Sequence, residues 1–203
     1  MLPPLTTTAY FPPLRWLAAA LRGGGQWELE AEETYQKSGY RGRCRIAGAN
    51  GPLLLSVPLE GGKHNGRPIR ELQISERTDW RREHWQSIRS AYGRAPFWEF
   101  YSDEVEALLF AEHRHLWELN RALLSGLIEL GRWPVRLSST TAYEREVTDR
   151  LDLRPRRATE EVLPPLRPYP QLFRERHGFI ENLSVLDGLL CLGPELVTHL
   201  MRS

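Results

Sequence analysis

An α/β fold is the class this sequence predicts: a single domain whose mixed β-sheet comes from the N-terminal third and is packed by central and C-terminal helices. Three observations predict it. Residues 26–31 and 41–46 alternate with the period of two that marks half-buried strands. Residues 79–93 and 102–130 carry helical spacing. An apolar run, NLSVLDGLLCL, closes the chain with the look of a buried helix.

The elements follow in order. Residues 5–10 read as a short extended segment, and Pro12 and Pro13 open a helix, LRWLAAALR, that three glycines at 23–25 terminate. Trp27, Leu29 and Ala31 alternate with Glu28, Glu30 and Glu32, while Arg41, Arg43 and Arg45 alternate with Gly42, Cys44 and Ile46. Asn50 and Gly51 form a tight-turn pair, so RCRIAGANGPLLLSVPL is a hairpin, with one further short strand at residues 69–75 after a glycine-rich loop. Thr78 caps a helix that runs to Gly93; Pro96 separates it from a second, capped by Ser102, that continues with a kink near His113 to Leu130. Residues 133–137 form a strand. The charged, proline-bearing stretch 144–168 has no periodicity and is a long loop or poorly ordered. Asn182 caps the last apolar helix, and Gly193 and Pro194 separate it from a final turn.

At 203 residues the chain is long enough for one proper core and short for two independent ones. Its seven tryptophans are large packing anchors, and a net charge of +1 disfavours a general nucleic-acid or membrane-surface binder. No apolar run reaches the ~18–20 residues that span a bilayer, and the N-terminus lacks the pattern of a signal peptide, so a cytoplasmic protein without membrane insertion is expected. Cys44 and Cys191 read as reduced core residues, and no metal site is expected. The oligomeric state is not legible.

Candidate site residues concentrate in EETYQKSGYRGRCRI, where Tyr35, Lys37, Tyr40, Arg41 and Arg43 crowd one strand-turn unit. On a strand, Arg41, Arg43 and Arg45 project from one face ~7 Å apart. Either Glu28, Glu30 and Glu32 pair with them across the sheet, each exposed pair being worth ~0.2–1 kcal/mol, or some of them hold a phosphate or carboxylate in the two-point geometry of guanidinium. His84 falls within the apolar arc of its helix, as a satisfied core residue or as a neutral proton acceptor. Asp187 lies in a helix that is apolar nearly all round and therefore needs a cation or several donors, as a structural anchor or a functional base. Asn120 ties helices together, and His113 and His115, on nearly opposite sides, cannot share a metal. Tyr169 and Gln171, in YPQLF, are expected to border the same pocket as residues 35–45. There is no GxGxxG, P-loop, GxSxG, HExxH or CxxC motif, which leaves any cofactor unassigned.

Nearly the whole chain resembles the bacterial WbqC-like protein family. The resemblance is carried by TAYFPPLRWL, EETYQKSGYRGRCRI, the NG turn with LLLSVPL, PIRELQI, WRREHWQSIRSAYGRAPFWEFY, and YPQLF with GFIENLSVLDGLLCLGPE. The chain has Thr8, Ala9, Tyr10, Phe11 and Pro12 where the wider family commonly has a His-Gln-Pro-like motif, and the stretch 144–168 replaces a glycine-rich segment. The family takes its name from a member associated with O-antigen gene clusters, which implies a cytoplasmic role in making or modifying a surface-polysaccharide precursor.

The expected function is thus a transferase-like step on an activated sugar or similar anionic small molecule, with a nucleotide sugar or an acyl donor as partner. Lys37, Arg41 and Arg43 would hold the anion and His84 or Asp187 would be the general base. The alternatives are a non-enzymatic binding or assembly protein using the same basic-aromatic pocket, and a structural partner of another polypeptide with Trp98, Phe100 and Tyr101 as its anchor patch.

Overall fold

The computed structural model describes residues 1–37, 39–62, 64–154 and 161–202. It is an α/β fold around one continuous core. Strands β1 (Pro4–Thr6), β2 (Gln26–Leu29), β5 (Arg136–Ser139) and β6 (Leu151–Asp152) form a parallel sheet in the order β5-β2-β1-β6, and β3 (Arg43–Gly48) and β4 (Gly51–Ser56) form a separate antiparallel hairpin. The sheet therefore takes half its strands from beyond residue 130, where the sequence placed it in the N-terminal third.

Helix α1 (Leu14–Arg22) connects β1 to β2 as read from sequence, and every residue from Leu14 to Leu21 is buried. Such all-round burial requires cover on two sides. The strands supply one, and α6 (Val185–Leu192) and α7 (Leu196–Arg202) supply the other. Gly188 of α6 permits the approach: a Cβ there would lie 2.8 Å from a Leu196 methyl and 2.9 Å from one of Leu14.

The central helices are α2 (Trp80–Tyr92), α3 (Trp98–Phe110) and α4 (Leu116–Leu130). Thr78 does not cap α2; Asp79 occupies the cap position without a side-chain bond. The predicted kinked helix is two helices, with Ser102 inside α3 rather than at its start. The chain turns extended at Ala111, and α4 begins with a reciprocal cap between His115 and Glu118. Residues 69–75 are not a strand: Ile69–Glu71 is a 3-10 turn, followed by isolated bridges from Gln73 to His115 and from Ile74 to Leu59. The stretch read as a loop at 144–168 contains β6, whose two residues pair with Pro4 and Leu5, while residues 155–160 of it lie outside the described ones. Short helix α5 (Arg174–His177) precedes α6, which is capped by the Ser184 hydroxyl accepting from the Leu186 amide; Asn182, at φ 54, is not the cap. Cys44 and Cys191 are free and buried.

The predicted pairing of the glutamate strand with the arginine strand does not occur. β2 is interior to the parallel sheet, between β1 and β5, whereas β3 among the described residues pairs with β4 alone. Glu28, Glu30 and Glu32 do find arginines, but these are Arg150, Arg154 and Arg70.

Candidate functional site

Because β1, β2, β5 and β6 are parallel, their carboxyl ends share one edge, and the strand order reverses between β1 and β6. Open parallel sheets bind ligands at such an edge. The chain delivers Thr7 and Thr8 there from β1, Glu30 from β2, Thr140 from β5 and Arg154 from β6, with Glu30 N donating to Thr6 O at 2.8 Å and Thr140 N to Leu29 O at 2.9 Å. Glu30 is fully buried and fully satisfied. It accepts from the Thr140 hydroxyl at 2.6 Å, the Glu32 amide at 3.0 Å and Arg154 Nη1 at 2.9 Å. Arg154 also grips both oxygens of Asp152, each at 2.9 Å, and lies 5.0 Å from the centre of the Tyr143 ring.

Beside this network Arg41 donates from Nε (3.0 Å) and Nη2 to the same oxygen of Glu33, Oε2. Both side chains are buried. Burial pushes the Glu33 carboxyl up to about 7, against the opposing pull of Arg41 and the Thr8 backbone. Its other oxygen, Oε1, has no hydrogen-bond partner, nor does the buried Thr8 hydroxyl. A cleft of about 550 Å³ opens here, lined by Glu32, Glu33, Thr34, Gln36, Arg41, Tyr143, Arg145, Asp152 and Arg154. We call it the edge cleft.

A second cleft, of about 490 Å³, shares the segment 34–37 as a wall: Thr34 and Gln36 line the first, Tyr35 and Lys37 the second, as alternation in an extended chain requires. Arg43, Ser56, His64 and Asn65 complete it with Val57, Leu59 and Gly62. Among the described residues no carboxylate lines this basic cleft. His64 Nδ1 is buried there without a partner, and the Tyr35 ring stands edge-on to the His64 ring at 6.1 Å. Burial raises the Tyr35 phenol, while Arg43 and Arg41 pull it down.

The structure thus brings Tyr35, Lys37 and Arg43 together and places Arg41 across the wall, because Arg41 precedes β3 and turns inward to Glu33 while Arg43 lies on the strand. Tyr40 is elsewhere, its hydroxyl accepting from Asn182 Nδ2 at 3.1 Å and its ring edge-on to Trp16. Asn120 ties α4 to the chain before β3, donating to the Arg41 carbonyl at 2.7 Å.

Neither expected base lines either cleft. His84 Nδ1 lies 2.8 Å from the Tyr10 hydroxyl, and burial lowers its pKa to about 4, with the Ser56 backbone opposing, so the ring is neutral near pH 7. Asp187 is fully buried with several donors and, among the described residues, no ion-pair partner: Tyr169 Oη and Gln171 Nε2 donate to Oδ2 at 2.5 and 3.0 Å. Burial raises its carboxyl; bonds from Tyr169, Gln171 and Tyr92 pull the other way. Gln171 further bridges to the Ile180 backbone, donating to its carbonyl and accepting from its amide. Tyr169 and Gln171 therefore hold the C-terminal segment to α6, and neither lines the clefts beside residues 33–43.

Sequence reasoning missed Glu33, Asp152, Arg154 and Tyr143. The acidic run after β2 was visible, but its meaning depends on β2 being a parallel strand that ends at the site. Nothing local connects Glu30 to Arg154, 124 residues away. Among the described residues no group of three or more His, Cys, Asp or Glu is placed to hold a metal ion, and no helix is long and apolar enough to cross a membrane.

Neither the curated proteins nor the solved structures contain a match to this chain. A family model described as the WbqC-like protein family matches residues 9–159, a span that includes the lining of both clefts and stops before Tyr169. With most of its length matched, this chain belongs to the WbqC-like protein family.

Proposed function

We propose that the protein performs a transferase-like step on an activated sugar or similar anionic small molecule, in making or modifying a surface-polysaccharide precursor of the O-antigen kind. The observation that supports this reading is the basic cleft. Lys37 and Arg43 border one concavity with the unpartnered His64 nitrogen and the Asn65 amide, and no carboxylate among the described lining residues neutralises them. A guanidinium and an ammonium on one wall match a phosphate or carboxylate, and the Tyr35 ring adds an apolar flank. The family name agrees with a polysaccharide-associated role. His84 and Asp187 are engaged by internal partners, so the reading rests on the anion-holding residues.

Isothermal titration against a panel of nucleotide sugars and acyl thioesters tests it. The wild type should bind at least one member, and Arg43→Ala should weaken that binding by about 1.5–3 kcal/mol, the range for hydrogen bonds to charged groups. The partly buried Arg43 side chain makes no ion pair among the described residues, so stability should change little. No binding to any member, or equal binding by both proteins, would overturn the assignment. That outcome would favour the reading as a structural partner of another polypeptide, for which the apolar groove of Phe97, Phe100, Tyr101 and Val197, with Phe100 70% exposed, is the surface to examine.

A further inference from the structure

We propose that the edge cleft is a separate binding site for a neutral polyhydroxylated ligand, a sugar ring whose hydroxyls donate to Glu33 and whose carbon face rests on Tyr143. Charge balance argues for the neutral ligand. Three carboxylates and three guanidiniums line the cleft, and most are already matched: Arg41 with Glu33, Arg154 with Asp152, and Glu32 with Arg70 outside the lining. A lining compensated in this way has little field to attract an ion, in contrast to the basic cleft next to it.

What the edge cleft leaves open is a buried acceptor, Glu33 Oε1. Glu33 lines the cleft and is 5% exposed, yet Oε1 has no hydrogen-bond partner. Leaving such an atom unmatched is costly, and a ligand rich in O–H groups would match it. Thr34 and Gln36 add neutral groups that can both donate and accept. Tyr143 is 57% exposed at the mouth, stacked on Arg154, so its ring is held by the same guanidinium that grips Asp152 and Glu30. A ring platform beside planar, paired polar groups suits a molecule with one apolar face and a rim of hydroxyls. The position, at the carboxyl edge where the strand order reverses, is where open parallel sheets take their ligands. Under the transferase reading, on which this part alone rests, the edge cleft is the acceptor's place and the basic cleft the donor's.

The test is saturation-transfer NMR and titration of the full chain with glucose, galactose, mannose and N-acetylglucosamine. At least one should bind saturably, with an affinity unchanged between low salt and about 0.5 M, where ionic attraction is screened. Tyr143→Ala should weaken that binding severalfold without altering thermal stability, and Glu33→Gln should weaken it by about tenfold or more. Since Glu33→Gln leaves the buried Arg41 charge unmatched and can unfold the protein, Tyr143→Ala carries the test on its own. Arg43→Ala should leave sugar binding intact, which separates this site from the basic cleft: a protein that binds sugars but no anion sustains the edge site and removes the transferase reading. Absence of saturable sugar binding, indifference to Tyr143→Ala, or strong salt dependence would overturn the proposal.

Discussion

Arg41 directs two donors at a single oxygen of Glu33, so one buried carboxylate oxygen is doubly bonded while the other has no partner. The arrangement links the chain before β3 to the carboxyl edge of the parallel sheet, and Asn120 fixes the Arg41 carbonyl from α4. Arg41→Ala would leave the buried Glu33 carboxyl without its cation and is expected to cost about 3–5 kcal/mol in urea denaturation at about pH 8, where the wild-type carboxyl is ionised; joint replacement by Arg41→Met and Glu33→Leu should cost much less, since both desolvation penalties vanish. A single-variant loss below about 1 kcal/mol would show that the pair is solvated in solution.

Two buried groups give the stability a pH dependence of opposite sign. Glu33, raised to about 7, is more readily protonated folded than unfolded, so its contribution is present below its unfolded value and is lost as pH rises through 7. The loss is on the order of 3 kcal/mol, since each tenfold difference in proton affinity between the folded and unfolded chain is worth about 1.4 kcal/mol. His84, lowered to about 4, contributes stability that is complete above its ordinary value and is lost as pH falls toward 4. Denaturation between pH 4 and 8 should show a Glu33-dependent decline above about pH 5 that disappears in a double variant lacking both Glu33 and Arg41 charges. Persistence of the decline in that variant would transfer it to another carboxyl, of which Asp187 is the first to examine.

Tyr169 supplies the shortest bond to Asp187, in the first turn of an apolar helix. Tyr169→Phe keeps the ring contacts with Phe179 and His199 and removes only the hydroxyl. The expected loss is about 1–3 kcal/mol, the cost of an unmatched buried polar group, read from chemical denaturation. An unchanged midpoint would mean that Tyr92 or Gln171 takes over the bond.

Gly188 separates α6 from α1 and α7 by less than a side chain's thickness. Gly188→Val should therefore push against Leu14 and Leu196 and destabilise by about 1–3 kcal/mol or more, because both leucines are themselves fully buried and have no room to retreat. Thermal unfolding with little change would show that α6 can shift.

Local pattern decided much of this protein. Helix α1, most of α2 and the β3–β4 hairpin lie close to where the spacing, the prolines and the Asn50-Gly51 turn place them, since each is held by contacts between near neighbours in sequence. The burial of Asp187 among several donors was also legible, because an apolar helix allows its one carboxylate no other solution. Strand partnership was not legible. Period two states which side chains share a face of β2 but not that β1 and β5 lie beside it, and a strand of two residues, β6, carries no period at all. The arginines show the same division: their number and spacing were plain, but one turns inward to Glu33 and another outward to the basic cleft, according to where β3 begins. Pairing across more than a hundred residues is settled by the joint closure of sheet, helices and core, a sum of many weak contacts that no short window of sequence contains.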